Sequence, residues 1–306
     1  MITFFTTAKP FDDHNRIRQI NALRSWRAAC PNAEIILFGV GEGYCEVSRD
    51  IGLVHVAQVR TSAQGTPLIN SMFEWVAERS RHSLRAFVNC DIILLDDFVT
   101  AISQIKAARF LMVGQRWDVE LDWSVDFSNP SWSLELVEHV RRCGKLHPPY
   151  GSDYFAYRGD IWDGIPALVV GRGGYDNELI WHCLMSGTPV FDATEVTTVI
   201  HQNHGYMHHL NGKEGVYRTG EEALLNRSAG MMRGFFVDLT DADWRLSPNG
   251  PVRNYCRGNW KRFLEITCHR KKRTSLLWRL AAIGLSVYKR LRNVSISPAF
   301  WKPLHF

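Results

Sequence analysis

The chain has no run of about 18 apolar residues, so nothing in it reads as a membrane-spanning helix. Its seven cysteines, at 30, 45, 90, 143, 183, 256 and 268, are odd in number and contain no C-x-x-C pair. A disulfide framework and a cysteine-built zinc site are therefore not expected, and buried thiols in a reducing compartment are. The opening stretch, Met1-Ile2-Thr3-Phe4-Phe5-Thr6-Thr7, lacks the length and positive charge of a signal peptide. Low-complexity tracts and internal repeats are also missing. Acid is scarce in one region only. Residues 257–306 hold twelve of the 36 Lys+Arg and one of the 31 acids, Glu265, which leaves 24 basic against 30 acidic residues in 1–256. A mildly acidic body thus carries a strongly basic tail, and the two have separate electrostatic roles.

What is present suits a large folded body. The 306 residues are 45% hydrophobic and 22% charged, enough for a sizeable core. Apolar β-rich runs at Ile2–Thr6, Glu34–Phe38, Val54–Val59 and Arg85–Leu95 alternate with helical patterns at 14–29, 46–51 and 68–81. That alternation predicts a parallel α/β sheet with helices on both faces. Thr66-Pro67 reads as a helix start, with Thr66 as the cap. A further helix is expected after Asp96-Asp97, then a strand at Phe110–Val113 and an irregular Trp- and Asp-rich stretch, 115–130. A helix after Ser131, a strand at Asp153–Tyr157, a helix from Asp176 and a strand at Pro189–Asp192 follow. Gly39-Val40-Gly41-Glu42-Gly43 misses the G-x-G-x-x-G spacing and reads as a flexible loop.

Asn89 and Asp91 sit inside the apolar run 85–96. A strand buried on both faces should be apolar throughout. Either the strand ends near Val88, leaving Asn89–Asp91 at its open end, or Asp91 is paired. Strand ends are where ligands bind in open α/β sheets, and an aspartate there can hold a hard cation. Asp176 and Glu178 follow Gly173-Gly174 at a helix start; Asp176 can serve as an N-cap or as a general base. Four of the twelve histidines, His201, His204, His208 and His209, lie within nine residues, a source of metal ligands. Arg116-Trp117-Asp118 and the polar start of the strand at Asp153-Tyr154 suit a sugar, since aromatic faces pack on the ring and carboxylates take its hydroxyls.

The order and spacing of six stretches resemble a bacterial group of GT-A type glycosyltransferases, of the nucleotide-diphospho-sugar transferase superfamily. They are Phe4-Phe5-Thr6-Thr7-Ala8-Lys9-Pro10-Phe11, Gly65-Thr66-Pro67-Leu68, Val88-Asn89-Cys90-Asp91-Ile92-Ile93-Leu94, Asp153-Tyr154-Phe155, Tyr175-Asp176-Asn177 and His201-Gln202-Asn203-His204. The resemblance covers roughly residues 1–210. It implies a Rossmann-like three-layer α/β/α domain over 1–256 with a mostly parallel mixed sheet. It also implies transfer of a sugar from a nucleotide diphosphate to a glycan or lipid-linked acceptor. In that family a D-x-D motif ending the fourth strand binds metal and diphosphate; here it reads Asn89-Cys90-Asp91, with an amide in place of the first acid. A divalent cation, Mn or Mg, is implied on Asp91 with His201 or His204. Asp176 matches the family's general base, with Glu178 in reserve. Thr6, Thr7, Ala8, Lys9, Gly65, Thr66, Asn89 and Asp91 are expected at the donor, and Arg116, Asp118, Asp153 and Tyr154 at the acceptor or sugar.

Residues 257–306 read as a basic amphipathic helical tail, with Trp260-Lys261-Arg262-Phe263 and then leucines at helical spacing from Leu276 to Leu291. Such a helix suits an anionic membrane surface, through 257–292. No nucleic-acid motif accompanies the basic run, and none is expected as partner. The expected location is the cytoplasm, peripheral at the inner face of the membrane. A sugar nucleotidyltransferase is the alternative enzyme, although Thr6–Pro10 lacks its glycine-rich basic signature. A non-catalytic nucleotide- or glycan-binding domain is the alternative without chemistry.

Overall fold

The computed structural model describes residues 1–12, 15–205, 212–232, 235–272 and 280. In chain order the elements are β1 (Thr3–Thr7), α1 (Arg16–Ala29), β2 (Glu34–Phe38), α2 (Tyr44–Ile51), β3 (Val54–Val56), α3 (Ile69–Arg79), β4 (Leu84–Val88), β5 (Ile92–Ile93), α4 (Asp96–Ser103), β6 (Phe110–Val113), β7 (Trp117–Val119) and α5 (Trp132–Cys143). They continue with β8 (Lys145–Leu146), β9 (Tyr154–Arg158), α6 (Tyr175–Ser186), β10 (Val190–Asp192), β11 (Ile200–Gln202), the single turn α7 (Gly212–Glu214), a π turn over Gly215–Thr219, α8 (Glu221–Ala229), the hairpin β12 (Trp244–Ser247) and β13 (Gly250–Arg253), and α9 (Trp260–Lys272).

Nine strands form one sheet in the order β13-β12-β10-β6-β9-β4-β1-β2-β3. The β4-β1-β2-β3 half is parallel, as is β6-β10-β12, and β9 lies antiparallel between the two halves. This is the expected three-layer arrangement around a mostly parallel mixed sheet. Side chains alternate across each strand with period two, which splits the core in two. Phe4, Ala86, Val88, Tyr154 and Ala156 face α1 and α4, where Trp26 and Phe98 pack. Phe5, Phe87, Phe155 and Tyr157 face α3 and α6, with Phe73, Leu179 and Cys183. Each such aromatic or aliphatic side chain, fully buried, contributes on the order of 2 kcal/mol.

A second, four-stranded sheet, β5-β11-β7-β8, covers one end of the strands. Its apolar face (Ile93, Val119 and Ile200) packs on Leu136 and Val140 of α5. Two ties attach it to the first layer: the Trp26 indole donates to the Ile92 carbonyl at 2.8 Å, and Ser25 Oγ accepts from Leu94 N at 3.1 Å.

Several local expectations shift. The strand at 85–95 is two short strands, β4 and β5, with Asn89–Asp91 between them. The segment 115–130 contains β7. Thr66 does not cap α3, which starts two residues after Pro67; its hydroxyl faces Arg172 instead. All seven cysteines are free thiols. Among the described residues no helix is long and apolar enough to cross a membrane. The leucine-rich pattern from 276 to 291 lies outside the described residues except for Leu280, which is exposed.

Candidate active site

The ends of β1 and β4 open into a cleft of about 620 Å³. Three chain reversals build its rim. The first follows β1. Tyr44 hydroxyl accepts from Ala8 N at 3.2 Å and donates to the Ala8 carbonyl, while the Gln19 amide brackets Lys9, accepting from its N–H at 2.7 Å and donating to its carbonyl at 3.0 Å. Thr7, Ala8 and Lys9 thereby stand rigidly on the cleft wall. The second rim is the turn 61–67, where Gly65 adopts φ +84°, a left-handed backbone that favours glycine. The third is Val170–Arg172, with Val216 and Tyr217 folded against it. A Cβ at Gly173 would overlap the Tyr217 carbonyl, so only glycine lets this segment close on the cleft.

The floor is made by sheet register. β11 pairs antiparallel with β5, His201 opposite Ile92, and parallel with β7, His201 opposite Asp118. Asp91, one residue before Ile92, is thus brought beside His201 from a position 110 residues earlier in the chain. Gln202 ties the two together: its backbone N–H and its side-chain amide donate to the Asp91 carbonyl at 3.2 and 3.1 Å, and Asn21 of α1 donates to its Oε1 at 3.1 Å. Beyond β11, His204 turns back so that its Nε2 lies 3.1 Å from Asp91 Oδ2, with His201 Nε2 at 3.7 Å from the same oxygen. Burial alone would raise the Asp91 pKa, but the neighbouring His201 and His204 overcome it and hold the carboxyl well below its usual range.

The residues present fit a divalent cation. Asp91, His201 and His204 offer one ligand atom each, all within 4.8 Å of one another. Asp91 Oδ1 is buried and has no hydrogen-bond partner among the described residues. Lys9, Arg18 and Arg172 line the same cleft. Burial lowers the Lys9 pKa and Arg172 and Arg18 lower it further, against the pull of Asp91. Arg172 is aimed by Glu222, whose Oε2 accepts from its Nε at 2.7 Å. Arg18 and Arg172 are the residues that the sequence reading did not single out. Isolated arginines in a helix and in a glycine-rich loop carry no local signal of their target.

Asn89 is locked at both ends. Its Nδ2 donates to Asp153 Oδ1 at 2.6 Å, and its Oδ1 accepts from the Tyr175 hydroxyl at 3.1 Å. Asp153 also forms an ion pair with Arg116, and both line the cleft. A second acid at position 89 would face the Asp153 carboxylate at hydrogen-bond distance, so the amide satisfies a neighbour that a carboxylate would repel.

Asp176 sits in the first turn of α6, just behind this wall, where Ser152 N donates to its Oδ2 at 3.0 Å. Burial pushes its pKa up to about 6, against the hydrogen bonds from Ser152 and from its own turn.

Five expected site residues do not line the cleft, Asp176 among them. Thr6 is fully buried and its hydroxyl donates to the Thr7 carbonyl, because alternation along β1 points residue 6 into the core. Tyr154 is fully buried against Phe98 for the same reason, one residue past Asp153 on β9. Glu178 is buried on α6, where its two oxygens accept from Met231 N at 2.6 Å and Met232 N at 3.2 Å, so it anchors the chain after α8. Asp118 stands behind His201 and does not line the cleft; Arg116, His147 and His201 share its carboxylate. Thr7, Ala8, Lys9, Gly65, Thr66, Asn89, Asp91, Arg116, Asp153, His201 and His204 all line the one cleft.

No family model matches the chain, and no curated protein does. Solved structures similar to it include TarS 1–349 of S. aureus in complex with UDP-GlcNAc. That match has 12% identity and a TM-score of 0.30, over 39% of this chain and 35% of that one. The chain thus spans about a third of TarS 1–349. Glucosyl-3-phosphoglycerate synthase of Mycobacterium tuberculosis, in complex with Mg2+ and UDP, matches at 13% identity and TM-score 0.40, over 67% of this chain and 72% of that one. The mannosyltransferase PcManGT of Pyrobaculum calidifontis, in complex with GDP-Man and Mn2+, matches at 11% identity and TM-score 0.45, over 98% and 84%. At TM-scores below 0.5 these likenesses carry no argument about function, and the reading below rests on the geometry of the cleft.

Proposed function

We propose that the chain is a metal-assisted glycosyltransferase, moving a sugar from a nucleotide diphosphate to a glycan or lipid-linked acceptor. One observation carries the reading: a strand-end aspartate with two imidazoles beside it, in a cleft also lined by Lys9, Arg18 and Arg172. Neutral substrates have no use for Lys9, Arg18 and Arg172 together, whereas a diphosphate complements all three. A divalent cation on Asp91, His201 and His204 supplies electrostatic stabilisation of the charge that develops on the departing diphosphate. Two imidazoles in the donor set favour Mn2+ over Mg2+, which prefers oxygen ligands.

The other residues divide the remaining work. The pinned loop of Thr7, Ala8 and Lys9 and the turn at Gly65-Thr66 hold the donor. Asn89, Arg116 and Asp153 form a fixed polar wall that meets sugar hydroxyls. Asp176, poised near neutrality, takes the proton of the acceptor hydroxyl, the role of an inverting base. Residues 1–256 form the catalytic domain and 257–306 the basic tail. On α9 and the turn before it, Tyr255 (57% exposed), Trp260 (64%), Phe263 and Leu264 stand in solvent, interleaved with Arg257 and Lys261. Exposed aromatics among cations suit an anionic bilayer and support a location at the cytoplasmic face of the membrane.

A panel of nucleotide sugars incubated with the full chain and Mn2+ tests the proposal. The expected result is donor hydrolysis or transfer that disappears in Asp91→Ala. Full activity in that variant, or no binding and no turnover of any donor by the wild type, would contradict it.

A further inference from the structure

Two rims of the cleft, the turn 61–67 and the segment Val170–Arg172, are far apart in sequence and meet on α8. Ser62 is the hub of the turn: its Oγ accepts from Gln64 N at 3.2 Å and from Thr66 N at 3.3 Å, and it donates to Glu222 Oε1. Glu222 Oε2 accepts from Arg172 Nε at 2.7 Å. Asn226, one helical turn on and on the same face of α8, brackets the start of the other rim, accepting from Val169 N at 2.7 Å and donating to the Val169 carbonyl at 2.9 Å. Glu222 is buried, has both oxygens taken, and does not itself line the cleft. Arg172 does. Its other contacts are long, Nη1 to the Gly171 carbonyl at 3.4 Å and Nη2 to Thr66 Oγ1 at 3.5 Å. Held firmly at Nε, the guanidinium keeps its outer donors for a ligand.

We infer that Glu222 is a positioning residue for the donor. It fixes the Arg172 guanidinium toward the diphosphate and ties the turn 61–67 to the same carboxylate, so that the two rims meet the donor as one preformed unit. The inference rests on the reading of the cleft as a nucleotide-diphosphate site. A free arginine has to be ordered when an anion binds, and one held in place beforehand avoids that cost. The sign of the effect separates positioning from charge. As a bare negative charge behind the cleft, Glu222 would repel a diphosphate, and neutralising it would tighten binding. As a brace for Arg172, it strengthens binding despite its charge.

Calorimetric binding of UDP and of GDP to the full chain in Mn2+ tests it. Arg172→Ala should bind the preferred nucleotide about 10–100-fold more weakly than wild type, through the loss of charged hydrogen bonds. Glu222→Ala should lose roughly 3–10-fold, the share due to ordering the arginine. Glu222→Gln, which keeps an acceptor for Arg172 Nε, should fall between wild type and Glu222→Ala. In the Arg172→Ala background Glu222→Ala should add no more than about twofold, because its effect runs through the arginine. A contact that serves the fold alone would carry its loss into that background unchanged. Wild-type or tighter affinity in Glu222→Ala would overturn the inference, and so would additive losses. Where Glu222→Ala does not fold, Glu222→Gln carries the test, and binding tighter than wild type overturns the inference. A wild type that binds neither UDP nor GDP would instead overturn the donor reading, and the role of Glu222 with it.

Discussion

Two aspartates in this molecule, Asp241 buried and Asp91 half-buried, sit among charged partners and end differently. Asp241, under α9, has both oxygens taken. Arg262 donates to Oδ1 at 2.8 Å and to Oδ2 at 2.6 Å, and Asp238 N donates to Oδ2 at 3.3 Å. The same guanidinium also donates to the Phe236 carbonyl at 2.5 Å. Asp91 has its histidines gathered on one oxygen while the other lacks a partner among the described residues. A carboxylate whose acceptors are all filled is holding the fold together. One whose oxygens are not all taken among the described residues, at a strand end in a cleft lined by three cations, suits a site and not only a fold contact. Buried charge alone separates the two poorly, and completeness of pairing separates them well.

The contrast breaks most sharply by substitution on each side. Asp91→Asn keeps the shape and removes the charge, and kcat/KM should fall roughly 10³-fold, about 4 kcal/mol of transition-state stabilisation. Thermal unfolding of this variant should show no comparable loss. Arg262→Ala should do the reverse. It leaves Asp241 buried without its counter-charge, at a cost of about 3 kcal/mol in denaturant unfolding, while Mn2+ affinity stays at the wild-type value.

The base has a sharper handle in pH. With its pKa raised to about 6, Asp176 is the ionised base only above that value, so kcat/KM should fall tenfold per pH unit on the acid side of about 6. Asp176→Asn should abolish that limb along with most of the activity. Stability moves the other way. A raised folded-state pKa contributes stability that is complete below the unfolded value and is lost as pH rises through about 6. The Asn variant should therefore gain stability at pH 8 relative to wild type, and gain nothing at the acid end below pH 4.

Asn89 offers a smaller and more specific test. Asn89→Asp sets two carboxylates at hydrogen-bond distance and should cost on the order of 1–2 kcal/mol at neutral pH. The exchange Asn89→Asp with Asp153→Asn restores one donor and one acceptor and should recover most of that loss. The weakest effect is expected on α9, where Trp260→Ala should reduce binding to vesicles containing anionic lipid several-fold. It should leave binding to zwitterionic vesicles and turnover of a soluble donor unchanged.

Much of the cleft was legible before the fold. Asp91 stood out because an acid has no place inside a run such as Val88–Leu95, and His201 and His204 stood out by crowding. What failed to show was partnership. Asp118 reads as a sugar ligand because it follows Trp117; that its neighbour is His201 depends on a parallel pairing of β7 with β11, more than 80 residues apart. Thr6 and Tyr154 fail for a different reason. Both faces of the sheet are covered, so residues inside a strand are buried whichever way they point and only the strand ends reach the cleft, which a motif read as a block ignores. Glu178 lies two residues past Asp176 on α6, about 200° around the helix, so the two acids point to different surroundings. The α/β alternation through residue 113 was readable because each element is strongly periodic, while β5, β7 and β8 are too short to leave a pattern.

The open oxygen of Asp91 is the centre of the account, and titrating the metal-free chain with Mn2+ tests it most directly. One ion per chain should bind in wild type and in Arg262→Ala, and binding should be lost in Asp91→Asn. Binding that survives in Asp91→Asn, or a wild type that takes up no ion with or without UDP or GDP, would contradict it.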